Sequence, residues 1–196
     1  MMFKTTDALL MELSNYANPK TKISRMVKNG EIIKIKRGLY ETDPCIPAYL
    51  LAPLIYRPSY ISFEYALARY GLIPERVYAC TSATFGKMRS KLFNTPLGIF
   101  SYRDIPREAY PYGKHWIQEE PYDYYIATPE KAICDTLYEK PPVGSVKALR
   151  EMLFDDMRID EEAFAALDAE AMIKYAVYYC AQNNKLLTRM LKRGVF

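Results

Sequence analysis

Residues 18–42 read Asn18-Pro19-Lys20-Thr21-Lys22-Ile23-Ser24-Arg25-Met26-Val27-Lys28-Asn29-Gly30-Glu31-Ile32-Ile33-Lys34-Ile35-Lys36-Arg37-Gly38-Leu39-Tyr40-Glu41-Thr42. Two periodicities meet in this stretch. Ile23, Met26, Val27 and Gly30 fall at i, i+3, i+4 and i+7, one stripe of a helix that runs from Lys20 to Asn29 and stops at Gly30. After Gly30 the period drops to two: Ile33 and Ile35 alternate with Lys34 and Lys36, so the isoleucines face inward and the lysines outward along a strand from Glu31 to Lys36. Arg37 and Gly38 supply the turn, and Leu39 to Thr42 is the return strand.

Upstream, Leu9, Leu10, Leu13, Tyr16 and Ala17 repeat at three and four, which predicts a first helix from Asp7 to Tyr16 with Thr6 or Asp7 as its N-cap. Helix, turn, helix and basic hairpin in this order predict a winged helix-turn-helix over residues 1–42. On the second helix Thr21, Arg25 and Lys28 lie opposite the apolar stripe, with Lys22, Ser24 and Asn29 on its flanks. Thr21, Lys22 and Arg25 are the candidates for base contact, because arginine can fork onto guanine and threonine can offer a hydroxyl or a methyl group. Lys20, Lys28, Lys34, Lys36 and Arg37 are candidates for phosphate contact, which positions a module without reading sequence.

Charge is distributed unevenly. Residues 1–40 hold eight lysines and arginines against Asp7, Glu12 and Glu31, a surplus of five, whereas the whole chain is only +4. The remainder is therefore close to neutral, the asymmetry expected when one small module meets a polyanion and the rest has another task. A basic amphipathic helix is otherwise an ordinary solvated face. The basic hairpin directly behind it separates the two cases.

The chain of 196 residues is longer than such a module needs. The Pro-rich stretch 43–60, with Pro44, Pro47, Pro53 and Pro58, reads as a packed crossover, and residues 61–196 as a second, α+β domain. Within it, Ser62–Tyr70 is a predicted helix stopped by Gly71. Tyr78–Thr81, Gly98–Tyr102 and Tyr124–Ala127 are predicted strands. Thr128 caps a helix that has Pro129 at its first position and runs to Tyr138. Helical patterning then fills Val146–Arg193, with Asp160 and Asp168 as helix starts. Tyr110, Tyr112, Tyr122, Tyr124 and Tyr125 gather around Trp116, either as packing around strands or as a surface for a partner. Lys87, Arg89 and Lys91 make a second basic patch, read as an exposed loop or a DNA-backbone contact.

Several function classes find no support. The four cysteines, Cys45, Cys80, Cys134 and Cys180, are far apart and read as reduced core thiols, with no zinc or redox motif. The single histidine, His115, offers no metal cluster, and no metal or cofactor is expected. Magnesium-dependent nucleases generally place an acidic residue two positions before a lysine, and no lysine here has one. The glycines never approach a phosphate-binding loop. Glu130 and Asp135, five apart on one helix, diverge by about 140° and make no carboxylate pair. Glu130 instead suits the helix N-terminus. The apolar run Cys45–Tyr56 is about twelve residues, short of the ~20 that span a bilayer, and Met1–Asp7 carries no signal-peptide core. A cytoplasmic, non-enzymatic protein is expected.

Three ordered motifs carry a resemblance. Lys36-Arg37-Gly38-Leu39-Tyr40 closes the hairpin; Ile61-Ser62-Phe63-Glu64-Tyr65-Ala66-Leu67 leads to Tyr70-Gly71-Leu72-Ile73-Pro74; Ala127-Thr128-Pro129-Glu130-Lys131-Ala132 leads to Asp135. In these the chain resembles the AbiEi family of antitoxins and transcriptional regulators. The resemblance implies a bacterial repressor that binds repeated promoter sites in double-stranded DNA and counters a nucleotidyltransferase-like toxin encoded beside it, in a system tied to phage defence. One departure is visible: the family's reader has three helices before the wing, and Asp7–Asn29 has room for two and a short turn. The alternatives weighed against a DNA-binding repressor are a protein-interaction module without DNA affinity and a restriction-like nuclease.

Overall fold

The computed structural model describes residues 3–194; Met1, Met2, Val195 and Phe196, which the expected domain spans include, lie outside the described residues. Among the described residues the fold is α+β with two sheets. It begins with β1 (Lys4–Thr5), α1 (Thr6–Glu12), α2 (Pro19–Lys28), β2 (Ile33–Lys36) and β3 (Leu39–Glu41). The three strands form one antiparallel sheet in the order β1-β3-β2.

Local chemistry fixes each of these boundaries. Thr5, not Thr6 or Asp7, caps α1 by accepting from the Ala8 amide at 3.2 Å. The helix ends at Glu12, four residues short of the predicted Tyr16, which is exposed together with Ala17. Asn18 caps α2 by accepting from the Thr21 amide at 3.1 Å, and Pro19 takes the first helical position, where its missing N–H costs nothing. At the other end Gly30 adopts φ +74°. This lets Glu31 N donate to Met26 O at 2.9 Å and Gly30 N to Val27 O at 3.2 Å, the paired bonds that close a helix into a left-handed stop. That stop sets the direction in which the hairpin leaves.

Leu9, Ile23, Ile32 and Tyr40 form a small core beneath the two helices, with Leu10, Leu13, Met26 and Val27 packed against it. At ~1.5–3 kcal/mol per buried large apolar side chain, four such residues are a thin core for some forty residues of chain. The hairpin has a second apolar face, however. Ile35 and Leu39 belong to the large core, and Ile33 packs on it. Alternation along the strands thus serves both sides at once.

The remaining chain follows as α3 (Ala48–Ile55), β4 (Tyr60–Ile61), α4 (Phe63–Arg69), β5 (Ala79–Thr84), β6 (Lys91–Thr95), β7 (Gly98–Asp104), β8 (Lys114–Ile117), β9 (Tyr124–Ala127) and α5 (Pro129–Glu139). Next come α6 (Val146–Arg150), continued by a π turn over Glu151–Asp156, then α7 (Glu161–Ala165), α8 (Ala169–Ala176), a 3-10 turn and α9 (Gln182–Lys192). The six strands β4–β9 form a mixed sheet in the order β6-β7-β5-β4-β9-β8, parallel at β5–β7 and β4–β9. Residues 43–60 are more than a crossover. Leu50, Leu51, Ala52 and Ile55 of α3 are buried in the large core, and the Tyr102 hydroxyl donates to Ala52 O at 2.6 Å. Thr128, Asp160 and Asp168 cap α5, α7 and α8 through their side chains.

Glu130 and Asp135 of α5 point to different surroundings. Glu130 accepts from the Asp168 amide at 3.3 Å, at the surface. Asp135 is fully buried, accepting from Tyr60 at 2.9 Å, from Ser62 at 2.5 Å and from Tyr179, with Lys131 Nζ 3.3 Å away. Lys131 also donates to Ala109 O at 2.8 Å and to the Tyr179 hydroxyl. This network joins α5 to β4 and to the turn before α9. Among the described residues no helix is long and apolar enough to cross a membrane.

Candidate nucleic-acid interface

The outward face of α2 is built as its periodicity demands. Ile23 is buried and Met26 and Val27 are half-buried, so Lys20, Thr21, Ser24, Arg25 and Lys28 are turned to solvent. Lys20, Arg25 and Lys28 make no ion pair among the described residues. The Ser24 hydroxyl donates back to Lys20 O at 3.1 Å. Beside this face a groove of about 380 Å³ runs between the α1–α2 turn and α2, lined by Tyr16, Asn18, Thr21 and Arg25 among others. Thr21, Lys22 and Arg25, the three residues assigned to base contact, all line it.

Lys22 is placed differently. Its ammonium stands 3.8 Å from Glu31 and 5.8 Å from the Tyr16 ring centroid, so it braces α2 against the start of the hairpin. Lys4 is likewise paired, with Glu12 at 2.5 Å. Both pairs are partly exposed and worth little on their own.

In the hairpin Lys34 and Arg37 are exposed and without ion pairs among the described residues. Lys36 is not outward. A register shift between Lys34 and Lys36 re-aims the strand, and the Lys36 ammonium donates to Ile55 O at the end of α3. It also stands 5.9 Å from the Phe93 ring centroid, and burial holds its pKa below the ordinary lysine value. Strict alternation in the sequence could not reveal this turn inward.

The second basic patch proves to be neighbour to the first. Phe93 on β6 lies 6.0 Å from Tyr56, and the Lys87 ammonium lies 5.3 Å from the Tyr56 ring centroid. Lys36 and Lys87 therefore flank one pair of aromatic rings. Lys87 and Lys91 are half-buried and Arg89 is exposed, so the patch is a structured loop opening into an edge strand. Tyr56 and Phe93 had no marker in the sequence beyond their apolar surroundings.

The tyrosine group divides. Tyr122 and Tyr124 are buried and Tyr110 is half-buried against Tyr60 and Phe85, whereas Trp116 and Tyr125 are exposed and directly opposite each other across β8 and β9. Lys114 sits among these rings, 4.2 Å from the Tyr110 centroid, and burial lowers its pKa. His115 is exposed on β8. Of the four cysteines Cys80 and Cys134 are core thiols as expected, but Cys45 and Cys180 are exposed. Among the described residues no cluster of three or more His, Cys, Asp or Glu side chains is arranged to hold a metal ion.

No protein-family model matches the chain, and no curated protein matches it. Among solved structures the fold is similar to that of the RV2827C protein from Mycobacterium tuberculosis, with a TM-score of 0.54 and 12% sequence identity over 99% of this chain and 72% of that one. At that identity the likeness is one of fold.

Proposed function

We propose that the protein is a sequence-specific DNA-binding repressor of the AbiEi antitoxin type, non-catalytic, with residues 3–42 acting as a winged helix-turn-helix. The observation that carries this is the face of α2. Thr21, Arg25 and Lys28 are exposed on the side opposite buried Ile23, Lys20 and Ser24 are exposed on its flanks, and the cations among them have no acidic partner among the described residues. Unpaired cations on a helix of ten residues match what a major groove accepts, with Lys34 and Arg37 of the hairpin beside it for phosphates. Promoter repeats upstream of its own gene are the proposed target, and a nucleotidyltransferase-like toxin is the proposed protein partner.

A gel-shift titration on the DNA upstream of the gene tests the proposal. Retardation is expected at low salt, with log K falling linearly as log salt rises. Absence of retardation at low salt overturns it.

One observation favours a protein contact in addition. Trp116 and Tyr125 present 55% and 47% of their surfaces to solvent as a cross-strand pair at the sheet edge, and large amphipathic rings of this kind are frequent anchors in interfaces. Trp116→Ala is expected to release a co-purifying partner while leaving DNA retardation unchanged.

A further inference from the structure

Between β5 and β6 the chain turns through Gly86-Lys87-Met88-Arg89-Ser90, and this loop is braced from the neighbouring strand. The Asp104 carboxylate at the end of β7 accepts from the Lys87 amide at 2.6 Å and from the Met88 amide at 2.5 Å. Met88 is fixed at φ +54°, a conformation that is costly for a side chain of this size. It is also 97% exposed, the most solvated large apolar residue described, and Arg89 is exposed beside it. Packing does not explain why a braced loop offers Met88 and Arg89 to solvent, since neither side chain enters the core.

The position of the loop points to its occupant. Lys91 shares a strand face with Phe93, over which Lys36 of the hairpin is placed, and Lys87 lies over Tyr56 next to it. Each link from Lys36 through Phe93 and Tyr56 to Lys87 is 6.0 Å or shorter. Hairpin and loop thus fall within one helical turn of duplex, ~34 Å. We propose that the loop is a second duplex-contact element, in which Arg89 and Lys91 take backbone phosphates next to the segment gripped by the hairpin and Met88, between Lys87 and Arg89, lies against the sugar edge. Cations flanking an exposed apolar side chain suit a surface that alternates phosphate and sugar. This rests on the DNA-binding proposal above and adds a contact from outside residues 1–42.

The test is the salt dependence of binding to the protein's own upstream DNA, measured for the full chain and for Arg89→Ala/Lys91→Ala. Each lost phosphate contact lowers the slope of log K against log salt by ~0.9. The double variant is expected to lose between one and two units of slope, to keep its preference for the specific site, and to give a hydroxyl-radical footprint shortened on one side. Arg89→Lys/Lys91→Arg, which keeps both charges, is expected to restore the slope. Both exchanged side chains lie outside the core, and an unchanged thermal midpoint checks that the fold is intact. An unchanged slope and footprint in the double variant, while Arg25→Ala still weakens specific binding, overturns the loop contact and leaves the repressor proposal standing. A wild-type chain that does not retard DNA overturns both.

Discussion

The Tyr122 hydroxyl donates to the buried carboxylate of Glu41 at 2.7 Å, which ties the last residue of the hairpin to the loop before β9. The other Glu41 oxygen accepts from the amides of Thr42 at 2.7 Å and Asp43 at 3.1 Å, and the Phe3 amide donates to the Tyr122 oxygen. Three donors thus converge on one acid, and a fourth, the Phe3 amide, holds the tyrosine that serves it, where the α2–hairpin unit meets the large sheet. Together with Lys36 on Ile55 O, this contact fixes the orientation of α2 relative to the basic loop of β5–β6.

Removing the Tyr122 hydroxyl leaves Glu41 one donor short in a buried place. Tyr122→Phe is expected to cost ~1–3 kcal/mol, the penalty of an acceptor left unsatisfied away from water. Urea unfolding measures it. Burial, reinforced by the Glu41 carboxylate, raises the Tyr122 pKa above that of ordinary tyrosine. The stability it contributes is therefore fully present below the ordinary value of 10.0 and is lost only as pH rises through the folded value. The alkaline limb of stability should be shallower in the variant.

Glu64 and Arg103 give the opposite limb. Arg103 forks onto the Glu64 carboxylate, with one bond at 3.1 Å, and its guanidinium stacks 4.0 Å from the Phe63 ring centroid. Burial pushes the Glu64 pKa up, but the hydrogen bond and charge of Arg103 outweigh it and hold the group below its ordinary value of 4.5. A depressed carboxylate contributes stability that is present above 4.5 and is lost as pH falls through the folded value. Glu64→Gln is expected to unfold at lower urea concentration at pH 7 and to show a flatter stability profile below 4.5 than the wild type. Equal acid limbs in the two proteins would remove Glu64 from the account.

At the proposed interface Arg25 and Lys36 should behave differently, although both are cations of one basic segment. Arg25→Ala is expected to weaken specific binding by ~1–3 kcal/mol and to relax discrimination at one position of the site. Lys36→Met removes an ammonium already committed to Ile55 O and Phe93, so it should lower the thermal midpoint and leave the salt slope within experimental error. A slope reduced by a full unit in Lys36→Met would place that ammonium on a phosphate after all.

The contrast between Arg25 and Lys36 also marks what the sequence could and could not tell. Features decided within a few residues were legible. Gly30 closes α2; Thr128 with Pro129 opens α5; Asp160 and Asp168 cap their helices, whereas the start of α2 falls one residue before the expected Lys20, on the Asn18 cap. Features decided by distant partners were not. β1 is two residues long and exists only because Lys4 and Thr5 pair with Tyr40 and Leu39. α3 forms around Pro53 because its neighbours fill the large core, although proline is a poor helix interior residue. β4, β6 and β8 are likewise strands by pairing rather than by composition. The same division holds in the candidate interface. The 3.6 period exposed the outward face of α2, but a register shift turned Lys36 inward and tertiary packing brought Lys87 to Tyr56.

The sharpest stability effect is expected at Asp135. Its carboxylate faces Lys131 Nζ at 3.3 Å with both side chains fully buried, and the Tyr60, Ser62 and Tyr179 hydroxyls all donate to it. Burial and the neighbouring Asp135 charge raise the pKa of both Tyr60 and Tyr179 well above the ordinary value, so these phenols remain donors across the physiological range. A buried pair is not in itself strongly stabilising, because desolvation offsets much of the attraction. Breaking it is another matter: Asp135→Asn keeps the shape and an acceptor oxygen but strands the Lys131 ammonium, at a cost of ~3–5 kcal/mol. Adding Lys131→Met removes the stranded charge, so the double variant is expected to recover part of that loss in urea unfolding. If Lys131→Met/Asp135→Asn is no more stable than Asp135→Asn, the penalty lies in the hydroxyl network around Tyr60 and Tyr179, and the ion pair is secondary to it.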